Sequence, residues 1–258
     1  MSETLKRRNL PMLAVVAAMM LASAGCCSNR QPHPCNGGTP TLREASPQAS
    51  QPETPITPQA AEQRLKDGNR RFTAARLAHK DLSASRRRTL AAGQNPFAVI
   101  VCCSDSRVPP ELVFDQGLGD IFVVRVAGNV VDPVVLGSVE YAAEHLHAPL
   151  IVVLGHEDCG AVKAAIQGGE APGDIGAIVE KIQGSVKQAA ARGAKGPAET
   201  DLAVHLNIRN SVAQIEASPI VSHLAKEGKV NVVGAKYHLQ SGRVEWFCHC
   251  DPAEAGAR

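Results

Sequence analysis

Aromatic side chains are scarce in this chain of 258 residues: one tryptophan (Trp246), two tyrosines and five phenylalanines, 3% of the total. That leaves no series of ring faces on which single-stranded nucleic acid could stack. Val, Ile, Leu and Ala must therefore build the core, the usual material of buried parallel strands and the helices covering them. An excess of charge of one sign is missing too. The formal net charge of +2 marks no acidic or basic partner. The basic cluster at residues 86–88 has neither a second cluster nor interleaved aromatics beside it, so it reads as a solvated helix face. No nucleic-acid partner is expected. The apolar (44%) and charged (20%) fractions are those of an ordinary globular protein, and no internal repeat is evident.

At the start of the chain the apolar run is too short to cross a bilayer as a helix. Residues 12–22, MLAVVAAMMLA, have the length of the centre of a signal peptide, and LKRRNL before them supplies its positive start. Residues 1–26 are accordingly read as a signal peptide and left out of the fold. Ala22-Ser23-Ala24 fits the small-x-small rule of an ordinary signal peptidase. ASAGC, ending at Cys26, resembles a bacterial lipobox with Ser23 in place of the usual leucine, and is the preferred reading. Arg7-Arg8-Asn9-Leu10 also resembles a twin-arginine signal, although a generic positive segment explains it equally. Residues 27–56, rich in Pro, Ser, Thr and Gln, bury too little to fold and read as an extended tether. The expected product is exported to the periplasm and anchored to a membrane through lipidated Cys26.

From residue 57 the pattern changes. Thr57 can cap a helix with Pro58 at its first position, and a second helix is expected over residues 83–92. FAVIVC (97–102), IFVVRV (121–126) and LIVVLG (150–155) are near-continuous apolar runs. The stretches 133–146 and 160–167 between and after them read as helices, the alternation of parallel strands with crossover helices. Further helices are expected over 174–192 and 200–217, and residues 229–247 read as two strands turned at Ser241-Gly242. The fold class is therefore α/β: a mostly parallel central sheet flanked by helices, with a C-terminal antiparallel edge. One domain is expected over 57–251, followed by a disordered tail at 252–258.

Cysteine, by contrast, is plentiful at eight residues. In an open parallel sheet, ligands gather beyond the carboxyl ends of the strands. Cys103 follows the first strand and His156 the third, while Cys159 falls in the first turn of a helix, whose dipole favours a thiolate. If those strands are neighbours, two thiolates and an imidazole converge. That set suits zinc, and three protein ligands leave a fourth position for water or substrate, as in a catalytic site. Asp105 and Arg107, two and four residues beyond Cys103, add an oxygen ligand and a cation able to hold it. The spacing alone leaves open a pair of buried cysteines beside a capping histidine.

CSDSRVPPELVFDQGLGDIFVVRVAGN (103–129), GSVEYAAEHL (137–146) and GHEDCGAVKAA (155–165) resemble, in order and spacing, blocks of the β-class carbonic anhydrases. RLKDGNRRF (64–72) and HLNIRNSV (205–212) fit as well, so the resemblance spans about 57–247. It implies one Zn2+ per chain held by Cys103, His156 and Cys159. Asp105 and Arg107 would form the hydrogen-bonded pair beside the fourth position, with Asp105 itself a ligand only in a closed state. The implied reaction is reversible hydration of carbon dioxide to bicarbonate and a proton by zinc-bound hydroxide, in a homodimer or homotetramer. Hydrolysis of CS2 or COS at the same zinc is an alternative. Bicarbonate binding without turnover is another, against which the intact Asp105 and Arg107 argue. Some members carry a regulatory bicarbonate pocket with a tryptophan three residues before the first cysteine ligand. Ile100 stands there, so that pocket is not carried over despite the presence of Arg125.

Other residues look like ligands without being expected to act as such. Strand alternation turns Cys102 away from Cys103, as a small buried hydrophobe. The CHC at 248–250 resembles a metal motif, but in an oxidising compartment a disulfide among Cys35, Cys248 and Cys250 is the better reading. His145 and His147 flank a helix end and need no catalytic role. Labelling cells with fatty acid is expected to mark Cys26. An unlabelled product beginning at Gly25 would instead assign ordinary signal peptidase, and a cytoplasmic protein retaining Met1 would refute export.

Overall fold

The computed structural model describes residues 56–247. The signal peptide, almost all of the tether, Cys26, Cys35, Cys248, Cys250 and the expected tail lie outside that range. Helix α1 (Pro58–Thr73) starts as its sequence dictates. The Thr57 side chain accepts from the Ala60 N–H, and Pro58, which has no N–H to leave unpaired, takes the first turn. Ser83 caps α2 (Ala84–Ala91) in the same way.

Strands β1 (Ala98–Cys102), β2 (Ile121–Arg125), β3 (Leu150–His156), β4 (Asn231–Tyr237) and β5 (Val244–Trp246) form one sheet in the order β2-β1-β3-β4-β5. The β2-β1-β3-β4 ladders are parallel, and β5 closes the edge antiparallel to β4 through a turn at Gly242, whose φ of +70° suits glycine. Between the strands lie α3 (Pro110–Val113), a short 3-10 turn (Ala127–Asn129), α4 (Pro133–Glu144), α5 (Gly160–Gln167), α6 (Ile175–Ala191), α7 (Pro197–Glu216) and α8 (Pro219–Lys226). Helix α7 begins three residues earlier than its periodicity suggests, because Pro197 occupies its first turn. Helix α3, of four residues, is too short for an apolar period to announce it, and α8 is a helix the sequence reading did not expect. No helix among the described residues is long and apolar enough to cross a membrane.

Both faces of the sheet are covered, and strand alternation decides which residue enters which core. Val99, Val101 and Cys103 join Ile151 and Val153 against α4, α5, α6 and α7. Ala98, Ile100 and Cys102 join Leu150, Val152 and Leu154 against α1 and α3. The two adjacent cysteines thus serve opposite faces. On the second face α1 approaches closely: a Cβ at Gly68 would lie 1.7 Å from the Phe114 carbonyl oxygen. Next to it, buried Asn69 donates through Nδ2 to the carbonyls of Val113 (3.1 Å) and Gly242 (2.8 Å) and accepts from the Val244 N–H (2.9 Å). One side chain therefore ties α1 to α3 and to the β4-β5 hairpin. Asn69→Ala leaves three buried backbone groups without partners and is expected to lower stability by roughly 2–4 kcal/mol, read as a lower urea midpoint with an unchanged slope.

Candidate metal centre

The chain leaves β1 for β2 on one side and returns to β3 on the other, so strand order reverses at β1. A crevice opens at such a point, beyond the carboxyl ends of β1 and β3. Cys103 is the first residue after β1, and His156 is the last of β3. Asp158 then adopts a left-handed conformation (φ 58°), a turn that short polar side chains tolerate, and Cys159 becomes the N-cap of α5. It thus stands one residue ahead of the expected first turn, still at the positive end of the helix.

The donor atoms of Cys103, His156 and Cys159 all lie within 4.8 Å of one another, and all three residues are buried. The two sulfurs are 4.0 Å apart. His156 Nδ1 is 2.7 Å from the Glu157 carbonyl oxygen, which can only accept, so Nδ1 carries the proton and Nε2 presents a lone pair. That Nε2 is buried and has no hydrogen-bond partner. A buried acceptor without a donor is costly. Beside two cysteine sulfurs, it is the arrangement a zinc ion satisfies.

The sulfurs themselves are unequal. Donation from the Cys159 thiol, followed by the Gly128 and Asp105 N–H groups, holds the Cys103 thiol below its ordinary pKa against the opposing effect of burial. Cys159 is pushed up, first by its hydrogen bond to Cys103 and then by burial. The two shifts run in opposite directions because the sulfurs share one hydrogen bond. Cys102, as expected, stays out of the group: it is fully buried on the other face, and burial pushes its thiol up to about 12.

Asp105 and Arg107 meet at the rim. Arg107 Nε donates to Asp105 Oδ1 (2.9 Å) and Nη2 to Oδ2 (2.7 Å), and the Arg107 N–H adds a third bond to Oδ1 at 2.9 Å. The Arg107 guanidinium holds the Asp105 carboxyl well below the usual carboxylate range. Oδ2 lies 3.7 Å from His156 Nε2, so the carboxylate borders the donor group while remaining in the grip of Arg107. Arg125 supports this loop from beneath, donating to the Cys103 carbonyl (3.1 Å from both Nε and Nη2) and to the Asp105 carbonyl (2.6 Å).

Two supports escaped sequence reasoning. The Gly128 N–H donates to Cys103 Sγ at 3.3 Å, and Asn207, on α7, donates to the Gly128 carbonyl at 2.7 Å. The only local signal at that position was glycine itself, which suits its φ of 70°, whereas the 2.7 Å approach a Cβ would make to Ile182 Cδ1 arises only in the fold. Asn207 had none, being 79 residues away in sequence. His145 and His147 stand before the start of β3, and a strand of that length places them about 20 Å from the site. His145 is exposed and packs against Tyr141.

A family model described as carbonic anhydrase matches residues 98–244. The carbonic anhydrase of Mycolicibacterium smegmatis is 46% identical over 196 residues, covering 74% of this chain and 94% of the relative. A solved Coccomyxa β-carbonic anhydrase in complex with acetazolamide is 29% identical with a TM-score of 0.59, covering 64% of this chain and 78% of that one. The chain belongs to the β-carbonic anhydrases. Carbonic anhydrase 2 of Mycobacterium tuberculosis is likewise 46% identical, covering 72% of this chain and 91% of its own length. Tetrameric β-carbonic anhydrases of Sordaria macrospora give 25% identity and a TM-score of 0.59, covering 62% of this chain and 85% of that one. Zinc is the metal of this β-carbonic anhydrase class, and the donor set found here suits it. Cys159→Ser replaces a thiolate with a much weaker ligand and is expected to empty the site. Full zinc content by elemental analysis in that variant would remove Cys159 from the ligand set.

Proposed function

We propose that Cys103, His156 and Cys159 hold the zinc with which this carbonic anhydrase converts carbon dioxide reversibly to bicarbonate and a proton, and that Asp105 and Arg107 serve the reacting water. The observation that carries the assignment is the buried His156 Nε2, unpartnered among two sulfurs, with the Asp105 carboxylate at its edge. When bound, zinc supplies Lewis acidity that allows water to deliver hydroxide near neutral pH.

The rest is done by the chain. Two thiolates bring more negative charge than imidazoles would, which opposes ionisation of the water and calls for a compensating acceptor. Asp105 is that acceptor. Arg107 keeps it ionised, so it can only accept, and it can take a hydrogen bond from the reacting water and turn the lone pair of that water toward carbon dioxide. The fork from Arg107 fixes the plane of the carboxylate as well as its charge. Release of this grip would free Asp105 to enter the fourth position, the closed state expected from the resemblance.

Periplasmic location and a lipid anchor at Cys26 belong to the same proposal, supported by the composition of residues 1–56. Assembly into dimers or tetramers is supported by the tetrameric Sordaria macrospora relatives. It also fits the incompletely buried edge strand β2 and the exposed Val134 and Tyr141 on α4. Arg107→Lys keeps the charge and loses the fork, so zinc content is expected to hold while carbon dioxide hydration, followed by stopped flow, falls roughly a hundredfold. Near-parent turnover in Arg107→Lys, or in Asp105→Asn, would refute the role given to the pair.

A further inference from the structure

Glu157, between the ligand His156 and the left-handed Asp158, is attached to the β4-β5 hairpin at three points. Its N–H donates to the Tyr237 carbonyl at 3.0 Å. Its Oε2 accepts from the Leu239 N–H at 3.0 Å, and its Oε1 lies 2.6 Å from His238 Nδ1. His238 is held from its other side, with Nε2 2.9 Å from Glu245 Oε2. The imidazole ring of His238 therefore lies between the two acids, one at each of its nitrogens. The main-chain carbonyl of Glu157 is the group that receives the His156 Nδ1–H.

We propose that Glu157 is a positioning residue for His156, locked by His238 and Leu239 so that its own carbonyl fixes the proton on Nδ1 and aims Nε2 at the metal. The inference rests on the ligand set proposed above. Its physical basis is the rule that the hydrogen bond to the second nitrogen of a metal-binding histidine sets the tautomer, the ring orientation and the basicity of the first. A carbonyl in a bare loop after a strand end would turn freely. Here the residue that carries it is fixed through both its main chain and its side chain, and Glu245 on β5 braces the brace. The hairpin at the sheet edge thereby helps set the geometry of a ligand on β3.

The test uses the zinc-loaded full chain and its Glu157→Ala, Glu157→Gln and His238→Ala variants. Zinc transfer to a chelator is expected to be roughly 10- to 100-fold faster in Glu157→Ala and His238→Ala. In Glu157→Gln, which retains an acceptor for the Leu239 N–H, the acceleration is expected to be smaller. Nitrogen-15 spectra are expected to show the His156 Nδ1–H signal shifted or broadened in the same two variants. Asp201→Asn removes a carboxylate from the adjoining Lys236 pair and is expected to release zinc at the parent rate. Parent-like release and an unchanged His156 signal in both alanine variants would overturn the positioning role while leaving the ligand set intact. Equal acceleration in Asp201→Asn would overturn it too, as general loosening. A His156→Ala chain that binds zinc as well as the parent would overturn the ligand set itself, and the positioning role with it.

Discussion

Cys103 and Cys159 are 56 residues apart in the chain, yet their sulfurs lie 4.0 Å from each other because β1 pairs directly with β3. Cys102 is opposite Leu154 in that ladder, so the next residues of the two strands emerge side by side at the carboxyl edge. Everything at the centre depends on this pairing. A slip of one residue in register would turn Cys103 to the face covered by α1 and α3, bring Cys102 up in its place and strand His156 without its partners. Register is held against such a slip because both faces are buried: Val99 and Val101 have one apolar environment and Ala98 and Ile100 another, and neither set can be exchanged without opening the core.

The environment of the site is a polar shell set in an apolar frame. Arg125 braces the carbonyls of Cys103 and Asp105, Gly128 offers its N–H to the Cys103 sulfur, and Asn207 holds the Gly128 carbonyl. Ser211, one turn further along α7, holds the Asn129 carbonyl at 3.1 Å. The bonds of Gly128, Asn207 and Ser211 satisfy groups that would be expensive to bury unpaired. Together they fix a segment that includes the left-handed Gly128 and Asn129, at φ of 70° and 45°. Backbone held in sparsely populated regions persists only where the surroundings over-determine it, and it gathers at functional sites. Asn129 and Asp158, both non-glycine, follow that rule beside one donor group, while Gly128 takes its positive φ without strain.

Much of the architecture was legible locally. Thr57-Pro58 announced its helix through capping chemistry, and three apolar runs announced β1, β2 and β3 within a residue or two of their ends. Ser218-Pro219 carries the same kind of signal for α8, with the Ser218 hydroxyl accepting from the Val221 N–H, and that signal escaped sequence reasoning. The four residues of α3 could not show a period at all. The direction taken by Cys102 and Cys103 followed from alternation alone.

What the sequence by itself determined was thus everything with a short physical range: caps, turns, strand parity, the identity of donor side chains and, through its resemblance to a family, their expected roles. Only the tertiary structure decided that β1 lies between β2 and β3, that the Arg107 fork grips Asp105 while the carboxylate borders His156, and that Asn207 and the β4-β5 hairpin reach into the site. The reason is one of range. Period and propensity act over a few residues, whereas the neighbours of a strand are chosen by the packing of the whole apolar core, and a hydrogen bond spanning 79 or 82 residues leaves no trace in the sequence near either partner.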